Sequence, residues 1–286
     1  MERTKMSAFE SKNERALSDT CRVGERGRVE AALGARQAMS AETLMALGRK
    51  SVDAISLNAL LANKLLAALP GDSFERLLPH LEPAALSAGE DLYRSDRGVP
   101  YAYFPESAVI SQLHVLEDGN MTEAAMIGRE GLVGLSALLN ASLPTYWTRV
   151  LIAGSALRIR VDILKQEFGR GGALQRTLLA YVGARITQLS QRAVCSGRHK
   201  VGERLCCWLL MLHDRVGEDQ LQLTHEIIAS HLGVRRAGIT EIANALRDRG
   251  IIAYNRGLIR IIDRQRLEAV VCECYRMLGR SAARVM

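Results

Sequence analysis

The stretch HEIIASHLGVRRAGITEIANALR, His225–Arg247, decides how the last third of the chain folds. Counted from His225, it sets a small residue at position five (Ala229), glycine at nine (Gly233) and aliphatics at fifteen and eighteen (Ile239, Ile242). Each has a mechanical reason. Ala229 lets two helices cross closely, Gly233 can take the left-handed backbone of a tight turn, and Ile239 with Ile242 pins the second helix on the first. Ile228, Leu232, Val234, Ala243 and Leu246 complete a shared apolar core. The pattern is a helix-turn-helix.

Working outward, Thr224 precedes the first helix as a cap and can offer a hydroxyl or backbone N–H to a phosphate. The second helix opens on Arg235-Arg236-Ala237-Gly238, two guanidinium groups beside small residues that allow close approach. A major-groove reader needs that composition, because arginine bonds O6 and N7 of guanine bidentately. The bland alternative, a solvated arginine pair at a helix start, loses weight inside a complete register. Downstream, Ile251–Tyr254 and Leu258–Ile262 flank Asn255-Arg256-Gly257, two strands and a tight turn that make the motif winged. Arg256 at the wing tip is a candidate for a backbone phosphate; an exposed turn residue with no ligand is its alternative. The candidate DNA contacts are Thr224, His225, Arg235, Arg236, Gly238, Thr240, Glu241 and Arg256.

Charge points the same way. The chain has 286 residues and a net charge of +7. Residues 198–286 hold 15 basic and 10 acidic groups, residues 1–55 hold 10 and 8, and residues 56–197 hold 13 and 13. A basic terminal domain behind a neutral middle suits a polyanion partner for that domain alone. With 48% hydrophobic residues the chain can bury a core, which excludes wholesale disorder. It has no run of about 18 uncharged apolar residues, nor an apolar segment near its start of the kind a secretory signal needs, so a soluble, cytoplasmic protein without membrane contact is expected. Six cysteines are too sparse for a disulfide scaffold and read as reduced thiols.

The rest of the chain divides into a mobile extension over 1–55, a sensor domain over 56–170, a long helix over 171–197 and the winged domain over 198–286. Leu57, Leu60, Leu61, Leu65, Leu66 and Leu69 predict a helix closed by Pro70-Gly71, followed by a short helix capped by Asp72. Between Leu81 and Val161 the period becomes alternating. Val109, Ser111, Leu113 and Val115 face one way, Ile110, Gln112, His114 and Leu116 the other, and Glu117-Asp118-Gly119-Asn120 supplies a hairpin turn. Leu157, Ile159 and Val161 alternate with Arg158 and Arg160, and turn glycines stand at Gly98, Gly119 and Gly154. These segments predict a β-roll or barrel. Leu174, Leu178, Val182, Ile186, Leu189 and Ala193 then form one stripe of a long helix that can pack on its own barrel or on a second subunit. Ser196-Gly197-Arg198 is expected to break it, before a helix carrying Val201, Leu205, Trp208, Leu209 and Leu212. The fold class is α+β.

In this order of elements the chain resembles the Crp/Fnr family of bacterial transcription regulators. The resemblance spans Leu57 to Ile262 and rests on Gly131-Leu132-Val133-Gly134-Leu135 in the β-roll, the long helix, Val201-Gly202-Glu203-Arg204-Leu205, and above all Leu223-Thr224 to Ile252. It implies a cyclic-nucleotide-binding-like jelly roll, a homodimer joined through the long helix, a palindromic site on double-stranded promoter DNA, and contact with RNA polymerase. It sets Arg236 where the family often has its base-reading arginine. Ala237 replaces the neighbouring glutamate, and Glu241 stands where some members have arginine.

The same resemblance shows what the sensor lacks. Leu135 stands near the position of the ribose-binding glutamate, and Leu143-Pro144-Thr145-Tyr146 occupies the region of the phosphate-binding Arg-Ser pair. Without that countercharge, tight cyclic AMP binding by the usual mode is not expected, and the sequence names no other cofactor. Only Cys21 lies ahead of the β-roll, which disfavours an oxygen-sensing iron–sulfur cluster. Cys272-x-Cys274, read onto one last helix with Cys274 in register with Leu267, Val270, Val271 and Leu278, and Cys206-Cys207 are expected to be packing residues rather than a metal or thiol site. His114 and His199 have no partner at ligand spacing, and His213 and His231 lie on predicted helices. No catalytic motif is present, so no enzyme and no metal site are expected. Two alternatives stay open: a signalling or structural dimer whose winged domain binds protein, and a thiol-based redox regulator.

Overall fold

The computed structural model describes residues 62–94, 98–139 and 145–283. The N-terminal extension, Cys21, Leu57, Leu60, Leu61, Leu143 and Pro144 lie outside them.

The leucine-rich lead-in is shorter than expected where it is described. Helix α1 (Lys64–Ala67) is capped by Asn63, whose Oδ1 accepts from the backbone N–H groups of Leu65 and Leu66. The other end of that buried amide donates to the carbonyls of Pro105 and Gly131, both at 2.9 Å. Helix α2 (Gly71–Leu77) begins two residues early, so Asp72 sits in its first turn instead of capping it.

Seven strands follow: β1 (Glu82–Leu86), β2 (Asp91–Tyr93), β3 (Tyr101–Pro105), β4 (Val109–Val115), β5 (Met121–Ile127), β6 (Trp147–Ile152) and β7 (Gly154–Arg160). They form two antiparallel sheets, in the orders β1-β7-β3 and β2-β6-β4-β5. In β7 the alternation holds: Leu157 and Ile159 are buried, and Arg158 and Arg160 point outward to Glu82 and Asp162. Val161, however, starts helix α4 (Val161–Gly169), after the short α3 (Leu135–Leu138) between β5 and β6. In β4 the alternation fails at the start, because Val109, Ile110 and Ser111 are all buried. Ile110 faces the β-roll interior, while Val109 joins the core built by the terminal domain. One sheet is therefore covered on both sides.

Helix α5 (Gly172–Arg198) has 27 residues and runs about 40 Å. It passes straight through Ser196-Gly197-Arg198 and ends where His199 turns extended, at φ −101° and ψ 147°. Nothing crowds Gly197, and a glycine at a solvated helix position is tolerated at about 1 kcal/mol. The expected stripe splits. Leu174, Leu178, Tyr181 and Arg185 are buried on their own β-roll, whereas Leu179, Ile186, Leu189 and Val194 stand exposed.

The terminal domain comprises α6 (Val201–Val216), β8 (Gln220–Gln222), α7 (His225–Leu232), α8 (Arg236–Asp248), β9 (Ile252–Asn255), β10 (Leu258–Ile261), α9 (Arg264–Ala269) and α10 (Cys274–Ala283). The wing has three strands, in the order β8-β10-β9. The single last helix expected from the sequence is two: Leu267 lies on α9, Cys272 in the break, and Cys274 opens α10. No described helix is long and apolar enough to cross a membrane.

Candidate nucleic-acid interface

The turn between α7 and α8 is built as its residues require. Thr224 caps α7, its hydroxyl accepting from the Ile227 N–H at 3.2 Å. Gly233 closes it at φ +65°, in the left-handed region where a side chain is strained. Arg204 on α6 donates to the carbonyl of Leu232 at 2.7 Å, satisfying one of the orphan acceptors at that helix end. Ile239, Ala243 and Leu246 of α8 are buried with Ile228, Ala229 and Leu232 of α7 and with Leu205 and Leu209 of α6.

The opposite face of α8 is open. Arg235 and Arg236 at its first turn are exposed, as is Glu241, and Gly238 and Thr240 are half-buried beside them. Arg236 keeps 70% of its side chain in solvent. Its nearest acid is Glu226, 4.0 Å away and as exposed, a residue that sequence reasoning missed at this edge; such a pair contributes at most about 1 kcal/mol.

His225 and Thr240 differ in setting from the two arginines. His225 is buried, its ring stacked on Tyr254 at 4.0 Å, and its Nδ1 lies 3.0 Å from Thr240 Oγ1. Thr240 in turn donates to the Arg236 carbonyl at 3.2 Å. Nε2 of His225 is buried with no partner. Burial and then the Arg236 charge hold the His225 pKa below the usual imidazole value. The pair ties the cap of α7 and strand β9 to the first turn of α8, so it positions Arg236.

At the wing tip, Arg256 has φ +45° and Gly257 φ +82°. Two consecutive positive φ values are what a two-residue hairpin turn needs. Among the described residues Arg256 alone, apart from glycines, adopts this backbone. Its side chain is exposed.

The terminal domain is seated on the β-roll through a buried carboxylate. Glu123 of β5 is 3% exposed. It accepts from Ser111 at 2.6 Å and from the Trp208 indole at 3.0 Å, and it pairs with Arg192 of α5 at 2.9 Å. His231 of α7 stands 3.8 Å away. Burial raises the Glu123 pKa, but Arg192, His231 and the two donors outweigh it and hold the carboxyl below its ordinary value. Nearby, Glu130 pairs with Arg215 of α6 at 2.7 Å, and Ser230 donates to the Met121 carbonyl at 3.3 Å.

In the β-roll, Leu135 lies on the first turn of α3, and Tyr146 donates to Ser136 at 3.1 Å. Arg149 of β6 is bound to Asp91 at 2.6 Å. The hydroxyls of Tyr93 and Thr148 are buried without partners. Five cysteines are described, all buried and free. Burial pushes the Cys206 thiol up to about 12, and Cys195 and Cys207 also shift upward, so these three are not activated thiolates. His199, without a partner in the sequence, lies 3.5 Å from Cys274.

Residues 203–270 match the family model of the Crp-like helix-turn-helix domain. No curated protein matches the chain in sequence. Solved structures share the fold. A protein assigned to the Crp/Fnr transcriptional regulators, from Eubacterium rectale, aligns with TM-score 0.60 and 18% identity over 73% of this chain and 98% of that one. FixK2 from Bradyrhizobium japonicum aligns with TM-score 0.59 and 19% identity over 67% and 98%. The c-di-GMP-responsive global regulator CLP of Xanthomonas campestris aligns with TM-score 0.53 and 17% identity over 67% and 99%. The chain thus carries a Crp-like helix-turn-helix domain on the α+β fold of Crp/Fnr regulators.

Proposed function

We propose that this chain is a cytoplasmic transcription regulator that binds a palindromic site on double-stranded promoter DNA as a homodimer and contacts RNA polymerase from it, with no catalytic role. The observation that carries this reading is the open first turn of α8, where Arg235 and Arg236 project from a helix fixed on its other side by Ile239, Ala243 and Leu246. Arg236 reads bases; Arg256 at the wing tip holds backbone phosphate. The dimer seam is the exposed stripe Leu179, Ile186, Leu189 and Val194 on α5, apolar area that one protomer leaves in water.

The test is a gel shift on the region upstream of the chain's own coding sequence, across salt concentrations. Phosphate contacts give a steep loss of affinity with salt, and Arg236→Ala is expected to cost about 1–3 kcal/mol and relax base choice. Salt-insensitive binding, or no binding, would instead favour a domain that binds protein.

The β-roll is expected to bind no cyclic AMP by the usual mode, since Leu135 offers no acceptor for a ribose hydroxyl. Calorimetry on the purified protein checks this; submicromolar affinity would overturn it.

A further inference from the structure

Two segments far apart in sequence meet where the terminal domain leaves the long helix. Cys195 and His199 stand one turn apart at the end of α5, and Cys272 and Cys274 flank the start of α10. Their Sγ and imidazole nitrogen atoms all lie within 4.8 Å of one another. Cys195 Sγ is 3.6 Å from Cys272 Sγ, and Cys274 Sγ is 3.5 Å from His199 Nδ1.

We propose that Cys195, His199, Cys272 and Cys274 form a closed four-ligand site for a single zinc ion. A tetrahedral ion about 2.3 Å from sulfur and about 2.0 Å from imidazole nitrogen sets neighbouring sulfurs about 3.8 Å apart, and sulfur and nitrogen about 3.6 Å apart. The Cys195–Cys272 and Cys274–His199 spacings are those edges to within a few tenths of an ångström, and the other four pairs lie within 4.8 Å. Three sulfurs and one imidazole make a soft, tetrahedral donor set, which selects zinc over the hard cations that favour oxygen. Sulfurs this close share one ion; a cluster of several irons would hold them further apart.

The surroundings fit. His199 turns Nδ1 to Cys274 Sγ and Nε2 to the carboxylate of Glu273 at 3.2 Å, so the acid orients the ring as carboxylates do behind metal-bound histidines. Gln191 Nε2 donates to Cys274 Sγ at 3.0 Å, a hydrogen bond that spreads the net negative charge of three thiolates around a dication. Cys207, Leu278 and Met211 close an apolar shell around the sulfurs. Binding releases the three thiol protons as the sulfur–zinc bonds form, with no redox change.

The ion ties the segment beyond the wing, already packed on α5 and α6 through Gln191, Cys207 and Leu278, to the end of α5. It therefore fixes how α8 is presented. This coupling, unlike the site itself, rests on the DNA-binding reading.

The full chain, produced without a metal-affinity tag and purified under reducing conditions, is analysed by elemental mass spectrometry. About one zinc per chain is expected, released on thiol modification. Cobalt added to the stripped protein should give thiolate charge-transfer bands and the intense d–d bands of a tetrahedral site. Cys272→Ser and His199→Asn should lose both signals with helical circular dichroism retained, and Cys206→Ala, away from the cluster, should keep them. Less than a tenth of a zinc per chain with no cobalt spectrum, or a Cys195–Cys272 disulfide in the isolated protein, overturns the site. Stripping zinc should weaken binding to the upstream duplex at least tenfold. Unchanged affinity overturns the coupling and leaves the site standing, and failure of the zinc-loaded protein to bind any duplex counts against the DNA-binding reading alone.

Discussion

Inside the terminal domain the helices meet through an apolar core, whereas the junction that seats it on the β-roll adds a buried polar network to the apolar contacts of Val109, Met126 and Leu151. Inside the domain, α6, α7 and α8 meet through Leu205, Leu209, Ile228, Leu232, Ile239 and Leu246, a close-packed apolar core. At the junction, one buried carboxylate draws Ser111, Arg192 and Trp208 onto itself with His231 alongside. A polar network of this kind is satisfied only in one arrangement, because breaking it leaves charges buried and unpaired. An apolar core makes the domain rigid, whereas a buried polar network makes its orientation on the β-roll specific.

The largest effect should come from the junction. Glu123→Ala strands Arg192 and is expected to cost about 3–5 kcal/mol in urea unfolding. Trp208 should report the loss of its acceptor by a shift in emission. A cost below about 1 kcal/mol would mean that the seat is not held by this carboxylate. Next comes the core: Ile239→Ala should cost about 3 kcal/mol and spare the Glu123 contacts. If it disturbs Trp208 as strongly as Glu123→Ala does, the two regions are one cooperative unit and the contrast is lost.

Acid should separate them with a smaller effect. His225 has a depressed pKa, so its neutral form is favoured in the folded domain and its contribution is lost as pH falls below the ordinary value of 6.5. Glu123 also has a depressed pKa, but as a carboxyl its contribution is present above its ordinary 4.5 and lost only below that. A pH series should therefore loosen the α7–α8 pair first, seen as lost protection of the Thr240 amide, and the junction second. The reverse order would contradict the assignment.

What could be read from sequence follows the same division. The helix-turn-helix and its wing were legible because Gly233 and Gly257 sit where the backbone demands positive φ, a constraint local to a few residues. The strands of the β-roll were legible as alternation, except where β4 is covered on both faces. Glu123 was not legible, since its partners Arg192, Trp208 and His231 come from α5, α6 and α7, 69 or more residues away in sequence. Nor was the meeting of Cys195 and His199 with Cys272 and Cys274, because some seventy residues separate the two pairs and no spacing rule spans them. Strand β8 is three residues long, too short to carry a period. The α5 stripe misled by one position: Leu178 faces the β-roll, and its neighbour Leu179 faces solvent.

Selection of duplexes from a random pool, run in parallel with the unmodified chain and with Arg236→Ala and Arg256→Ala, tests most directly whether the first turn of α8 reads DNA. The expected result is an inverted repeat with half-site centres one helical turn, about 34 Å, apart. Arg236→Ala should lose base preference within each half, and Arg256→Ala should weaken all sequences evenly. Recovery of the same motif, at the same strength, by Arg236→Ala would contradict the assignment of α8 as the reading helix.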